Sequence, residues 1–330
     1  MARPARWLLP HLDRGAIEAL AKELGLGVPA AGVLYARGFR DTASARQFLC
    51  PSLDDLHDPL AMRGMDCALE RLMRAIRDHE KILIYGDYDV DGTTSVVVLK
   101  RAIELAGGAA DFHVPDRLKE GYGMRPEAVE AASARGVSLI VSADTGIRAA
   151  EVVRRARELS IDVIITDHHL PEAELPPAVA VLNPNRPDCG YPEKNLCGVG
   201  VAFKLVQALL GQMDWSAGKL RRVLESFLKL VAIGTVADVV PLTGENRIIV
   251  KHGLSGLGDV RNPGLRALLD VAGFTGGSAP PAGWPRCRGR RDASWQHRRP
   301  APAAYHPQGR VRTRRELLRQ YPPRSSGAPY

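Results

Sequence analysis

The sequence predicts an α/β fold: a mostly parallel, doubly wound sheet with helices on both faces, preceded by a helical N-terminal segment and followed by a basic C-terminal tail. Three observations carry that expectation. From Lys81 onward, short apolar runs alternate with longer stretches of helical spacing, and such alternation makes βαβ units whose right-handed crossovers give a parallel sheet covered on both faces. Before Asp78 the apolar residues recur only at helical spacing. After Thr275 the composition turns abruptly to Arg and Pro. The expected divisions are therefore 1–78 for the helical segment, 79–275 for the α/β domain and 276–330 for the tail.

Taken in order, Arg14 to Leu24 and Met65 to Ile76 read as helices, the second from the stripe Met65, Leu69, Leu72, Met73 and Ile76. Asp54-Asp-Leu-His-Asp-Pro59 between them is a polar connector stopped by proline. Lys81 to Gly86 is the first strand, and Thr93 to Ala106 the helix after it, with Val97, Leu99, Ile103 and Leu105 available for packing. Gly136 to Ser142 and Ile161 to Thr166 repeat the strand signal around a helix from Ala149 to Leu159, and Ala178 to Leu182 makes a fourth strand. Val199 to Leu210 and Leu220 to Ile233 are further helices, and Asn262-Pro-Gly264 opens another. No internal repeat interrupts this order.

Charge is distributed unevenly. The whole chain has 45 Lys+Arg against 37 Asp+Glu, a formal +8. The tail from Gly276 holds 12 Arg, no Lys and 2 acids, or +10, which leaves 33 bases and 35 acids in residues 1–275, a net −2. The basicity that suggests nucleic-acid binding thus belongs to the tail. With nine Pro and no Ile, the tail cannot bury enough apolar surface to fold alone. It reads as disordered, or as GC-rich coding sequence translated out of frame. The remaining composition, 45% apolar and 25% charged overall, excludes a collagen, a disulfide mini-protein and a fully disordered chain. No apolar run approaches the ~18 residues of a bilayer-spanning helix, and Met1 to Arg14 lacks a signal-peptide core. Cys50, Cys67, Cys189, Cys197 and Cys287 are odd in number and form no CxxC pair, which fits reduced thiols and a cytoplasmic setting.

Chemistry enters where the carboxylates fall. The first strand runs into Gly86-Asp-Tyr-Asp-Val-Asp-Gly92, the second into Ala143-Asp-Thr-Gly146 and the third into Thr166-Asp-His-His169. In a doubly wound sheet these loops lie together at the carboxyl ends of the strands, where ligands bind. Five Asp and two His would converge there, and two like charges ~4 Å apart at an effective dielectric near 20 repel by ~4 kcal/mol. A cation must sit among them. Carboxylate oxygens with imidazole nitrogens suit Mn²⁺ or Mg²⁺, and so many donors can hold two ions sharing one Asp, an arrangement that serves phosphoryl chemistry. Asp238, in Gly234-Thr-Val-Ala-Asp238 at the end of a helix, is a further candidate.

These stretches, together with Asn183-Pro-Asn185, resemble the signature of the DHH phosphoesterases. Within that family Pro51 to Pro59, Pro115 to Gly123 and Gly198 to Leu205 make the chain most similar to the bacterial single-strand-specific 5′ to 3′ DNA exonucleases, from about Trp7 to about Phe274. The resemblance implies that residues 79–275 form a DHH catalytic domain holding two Mn²⁺ or Mg²⁺ ions. Asp89, Asp91, Asp144, His168 and Asp238 are the implied ligands, with Asp144 bridging and Asp87 a further ligand or close neighbour. His169 would contact the scissile phosphate and Asp167 would orient the adjacent imidazole. Arg117 and Lys119, in a Gly-rich loop, read as phosphate contacts ahead of a solvated patch, and Asn183, Asn185 and Arg186 read equally as loop structure or as substrate-backbone binding. Tyr85 stands where many members carry a His ligand, and Asp87 is expected to take that place.

The implied activity is hydrolysis of single-stranded DNA in repair and recombination by a monomer, with a single-strand-binding protein and a helicase as partners and no membrane association. The pattern's end near Phe274 lets the two-metal cluster assemble but implies weak processivity. Two rivals use the same motifs: a phosphodiesterase of oligonucleotides or cyclic dinucleotides, and a non-catalytic DNA-binding scaffold. Single residues also have plainer readings. Asp87 taken alone is a helix cap, Tyr88 is buried in its loop, and Tyr122 is free to stack on a base. Cys189 and Cys197, with no second ligand pair, are thiols rather than a zinc site.

Overall fold

The structure, a computed structural model, describes residues 12–121 and 123–274. The expected tail, Cys287 and Tyr122 lie outside the described residues. The segment ahead of the sheet forms α1 (Arg14–Leu24), α2 (Val28–Ala36), α3 (Thr42–Leu49), two 3-10 turns at Leu53–Asp55 and Pro59–Ala61, and α4 (Met65–Arg77). Asp13, Asp41, Ser52 and Asp58 cap α1, α3 and the two turns through side-chain oxygens, each satisfying a backbone N–H that the element itself leaves open. α4 buries Met65, Ala68, Leu69, Leu72 and Ala75 in the same core as the sheet, so the segment's last helix is part of the α/β layer packing.

The rest is β1 (Ile82–Gly86), α5 (Val90–Leu105), β2 (Ala110–His113), α6 (Pro126–Ala134), β3 (Leu139–Ala143), α7 (Ala150–Glu158), β4 (Asp162–Thr166) and β5 (Ala180–Leu182). It continues through α8 (Gly198–Gly211), α9 (Ala217–Ala237), α10 (Gly244–Ser255) and α11 (Pro263–Val271). The sheet order is β2-β1-β3-β4-β5 and every pairing is parallel. Alternation along each strand divides two cores. Ile82, Ile84, Leu139, Val141, Ile164, Ala180 and Leu182 face α4, α5, α8 and α9, whereas Leu83, Tyr85, Ile140, Val163, Ile165 and Val181 face α6 and α7. Strands buried on both faces read as unbroken apolar runs, which is why four of them were visible in the sequence.

The fifth, β2, was not expected. It is an edge strand paired only with β1, and Ala-Asp-Phe-His carries no apolar run because Asp111 and Phe112 are exposed. Helices α2, α3, α6 and α10 were also unexpected; small residues in α2 and α6 give only a faint stripe. α9 runs about a turn beyond the expected helix, through Gly234 and Thr235, to place Asp238 as its C-terminal cap. The reason for glycine there is steric: a Cβ at 234 would stand 2.6 Å from Thr94 Oγ1 and 2.6 Å from Val199 Cγ1.

Candidate metal centre

The strand order reverses between β1 and β3, the switch point at which open parallel sheets bind ligands beyond the carboxyl ends of their strands. The loop after β1 places Asp87 by pairing its N–H with Ala143 O at 3.2 Å. Asp87 is buried and its Oδ1 accepts no hydrogen bond. The helix cap is Asp89 instead, whose Oδ1 accepts from Gly92 N at 2.8 Å at the start of α5, so the cap reading of Asp87 falls on its neighbour.

One turn on, buried Asp91 reaches across to the amino end of α8, accepting Gly198 N at 2.6 Å and Val199 N at 2.8 Å. A helix amino terminus favours an anion there. This contact was missed in the sequence, although Gly198 carries its signal. A Cβ at 198 would lie 2.4 Å from Asp144 Oδ1, so the backbone can approach two carboxylates only as glycine.

After β3, Asp144 takes φ +62° and is buried, with Oδ1 accepting no hydrogen bond. A non-glycine residue held in the left-handed region stores strain of a kind that gathers at functional sites. After β4, Asp167 Oδ1 accepts the N–H groups of His168 at 2.7 Å and His169 at 3.0 Å and lies 2.7 Å from His169 Nδ1. Its Oδ2 accepts Ile147 N at 2.9 Å. His168 Nε2 lies 3.3 Å from Asp144 Oδ1, 3.7 Å from Asp238 Oδ2 and 3.9 Å from Asp91 Oδ2. Val239, beside Asp238, has φ +61° and is exposed.

Three overlapping sets of donors result: Asp87, Asp89 and Asp144; Asp144, His168 and His169; and Asp91, His168 and Asp238, with the donor atoms of each set within 4.8 Å of one another. Asp144 belongs to two sets and His168 to two. Among the described residues the ion-pair partners of these carboxylates are imidazoles, and no lysine or arginine reaches them. The protonation equilibria express the imbalance. Burial, then the charges of Asp91, Asp167 and Asp89, push Asp144 up to about 10. Burial also raises Asp91 to about 6, against the α8 N–H groups, and raises Asp87 and Asp238. Burial would raise Asp167 too, but the hydrogen bond and charge of His169 outweigh it and hold Asp167 low. The Asp167 hydrogen bond raises His169 in turn. Oxygen-rich donors, a pair of imidazoles and two buried carboxylate oxygens that accept no hydrogen bond fit a pair of hard divalent cations.

The remaining expected residues are placed differently. Arg117 lies outside the cluster on the exposed 115–121 loop, its guanidinium 5.0 Å over the ring of half-buried Tyr88. Asn183 is fully buried, with Nδ2 on His169 O at 2.8 Å and Oδ1 on Asn185 N at 2.8 Å, so its amide serves the protein backbone. Tyr85 points into the core between the sheet and α6, and its hydroxyl donates to Gly123 O at 3.2 Å. Cys189 and Cys197 are buried free thiols that belong to none of the three donor sets.

A buried acidic and imidazole cluster at the switch point of a parallel sheet defines an α/β domain built to hold divalent metal, and residues 81–235 match the DHH family, N-terminal domain. The chain belongs to that family. Its relatives include the single-stranded-DNA-specific exonuclease RecJ of Bacillus subtilis (strain 168), 43% identical over 279 residues, covering 84% of this chain and 34% of the relative. RecJ from Thermus thermophilus in complex with Mn²⁺ superposes with a TM-score of 0.67 at 31% identity, covering 82% of this chain and 37% of that one. The Mg²⁺ complex from the same organism gives 0.56 at 29% identity, over 82% and 34%. The chain thus spans about a third of the length of the relatives it matches.

Proposed function

We propose that this chain carries the catalytic part of a RecJ-type exonuclease, hydrolysing phosphodiester bonds of single-stranded DNA from the 5′ end with two Mn²⁺ or Mg²⁺ ions. The observation that carries the reading is the pair of buried oxygens that accept no hydrogen bond, Asp87 Oδ1 and Asp144 Oδ1, inside a cluster whose carboxylates outnumber its imidazoles. Asp87, Asp89 and Asp144 would hold one ion and Asp91, His168 and Asp238 the other, with Asp144 shared. The ions, when bound, neutralise the cluster, activate water and stabilise the leaving oxygen.

The side chains do the rest. Asp167 fixes the ring of His169 through Nδ1, and the imidazole would donate to an oxygen of the scissile phosphate. Arg117 meets the substrate backbone from the 115–121 loop. The body's net −2 becomes +2 with two divalent ions, so the charge that meets phosphate is concentrated at the point of cleavage. By the same resemblance, the protein acts as a monomer in DNA repair and recombination in the cytoplasm, beside a single-strand-binding protein and a helicase.

The test is hydrolysis of 5′-labelled and 3′-labelled single strands, beside a cyclic dinucleotide, with and without Mn²⁺, using Asp144→Ala as control. Mn²⁺-dependent release of mononucleotide from the 5′ end is expected. Cleavage of the dinucleotide alone would replace the reading with that of a small-nucleotide phosphodiesterase, and metal binding without any cleavage would leave a scaffold.

A further inference from the structure

The Asp-His-His segment leaves the sheet after β4: Asp167 N still pairs with Leu182 O of β5 at 3.1 Å, and beyond it the His168-His169 backbone makes no strand pairing. Buried backbone groups still need partners, and all four polar groups of the His168-His169 dipeptide find them on side chains. Asp167 Oδ1 takes both N–H groups. The two carbonyls are taken by asparagines from the loop after β5: Asn185 Nδ2 donates to His168 O at 2.6 Å and Asn183 Nδ2 to His169 O at 2.8 Å. Asn183 Oδ1 accepts Asn185 N at 2.8 Å, which locks one asparagine against the other.

That loop is itself held at both ends. Its start is set by the register of Thr166 with Leu182 and by Asp167 N on Leu182 O at 3.1 Å. Its far side is fixed by Arg186 on Val181 O at 2.7 Å and Lys194 on Pro184 O at 2.8 Å.

Resting on the hydrolase reading above, we propose that Asn183 and Asn185 are positioning residues for His168 and His169. They touch neither substrate nor metal. By pinning successive carbonyls they fix the backbone from which both imidazoles project, and with it the 3.3 Å approach of His168 Nε2 to Asp144. On this proposal Asn183 acts indirectly where direct substrate contact was expected, because its amide is fully buried and engages two backbone groups. Partners that orient a ligating histidine matter: losing one typically costs ~10- to 100-fold in metal affinity or rate.

The experiment uses the full chain with Asn183→Ala, Asn185→Ala, Asn185→Gln and, as a control in the same loop, Asp188→Asn, whose exposed carboxylate pairs with Arg186 and Arg63 and, among the described residues, makes no contact with His168 or His169. Mn²⁺ affinity is measured by calorimetry, kcat and KM on 5′-labelled single strands, and melting with and without Mn²⁺. Either alanine variant should weaken Mn²⁺ binding about tenfold or more and lower kcat ~10- to 100-fold with KM nearly unchanged. Asn185→Gln should recover part of both, and Asp188→Asn should match the unaltered chain.

Alanine variants that melt earlier yet bind Mn²⁺ and turn over normally would make the loop purely structural and overturn the proposal. A raised KM at unchanged kcat would return Asn183 to direct substrate contact, and so overturn it as well. If Asn183→Ala does not fold, Asn185→Ala decides. An unaltered chain that cleaves no DNA, with variants that still lose Mn²⁺ affinity, would sink the nuclease reading while the positioning role stands.

Discussion

Of the places where the described residues bury charge, two do so in opposite ways. Beneath the N-terminal connector, Lys204 of α8 and Glu245 of α10 are both buried and meet at 2.9 Å. Lys204 also donates to His57 O at 2.7 Å, and Glu245 accepts from Tyr191 Oη at 2.5 Å and from His57 N at 3.0 Å. One cation meets one anion, and each charged group is hydrogen-bonded. At the carboxyl ends of the strands, the crevice beyond β1, β3 and β4 gathers Asp87, Asp89, Asp91, Asp144 and Asp238 around two histidines and leaves Asp87 Oδ1 and Asp144 Oδ1 without a hydrogen bond. A balanced buried pair holds elements together. An unbalanced one is a cost in the free protein, and it is expected where a ligand supplies the missing charge.

The comparison is broken most directly at Asp144. Asp144→Asn is expected to abolish two-metal binding and lower hydrolysis at least ~100-fold, since even outer partners of metal ligands cost up to that much. The same change should raise the melting temperature of the metal-free protein, because the fold must keep Asp144 protonated where the unfolded chain would ionise it, a cost that asparagine does not carry. Calorimetry with Mn²⁺ and thermal melting in chelator check the two halves. A metal-free variant that melts earlier than the parent would show Asp144 to be structural. Glu245→Gln should do the reverse: about 3–5 kcal/mol of stability lost, because Lys204 is left as an uncompensated buried charge, with Mn²⁺ affinity nearly unchanged in the fraction that remains folded.

The pH dependence of the metal-free protein sharpens the contrast. Asp144 and Asp91 titrate near 10 and near 6 in the fold, and an ordinary Asp titrates near 3.9 when unfolded. Between those limits the native state binds protons that the unfolded chain has released, so stability falls as pH rises. Melting temperature in chelator should therefore drop from pH 5 to pH 9, and Mn²⁺ should flatten the drop. At the opposite end of the sheet the sign reverses. Burial would raise Glu80, but the hydrogen bonds of Arg71 and Ser138 hold it low. Its contribution is present above its ordinary pKa and is lost as pH falls through the lowered one. Glu80→Gln should shrink the acid-side loss while leaving the fall between pH 5 and 9 untouched.

Sequence legibility followed the same division. The β1, β3 and β4 strands show as apolar runs because both faces are buried, and their terminal acids stand out because nothing in a core explains them. β2 was hidden, since an edge strand with exposed Asp111 and Phe112 has neither a run nor an alternation. Asp89, Asp91, Asp144, His168 and Asp238 could be gathered from strand ends and motif spacing. The work of Asn183 and Asn185 could not, because a buried asparagine on two backbone groups and an exposed one on a phosphate look alike in sequence. The anchoring of Asp91 on the amino end of α8 was equally hidden, as it joins residues more than a hundred positions apart. Gly198 and Gly234 mark such close approaches, but a glycine does not say what approaches it.

The smallest effect expected is at Arg117, and it separates the crevice from its rim. Arg117 is exposed and rests over Tyr88 rather than within the cluster, so its removal should leave Mn²⁺ affinity and melting unchanged. An exposed charge contact is worth ~0.2–1 kcal/mol, which puts the loss of affinity for single-stranded DNA at about 1.4- to fivefold for Arg117→Ala. If the guanidinium meets a phosphate, the slope of log affinity against log salt should become shallower by about 0.7, the value for one neutralised phosphate on a single strand. Arg117→Lys should restore the salt slope, because a point charge is sufficient for it, but not the stacking on Tyr88. An unchanged slope with a weaker affinity would mean that Arg117 acts only by bracing Tyr88, and would assign the phosphate contact to the metal-loaded crevice alone.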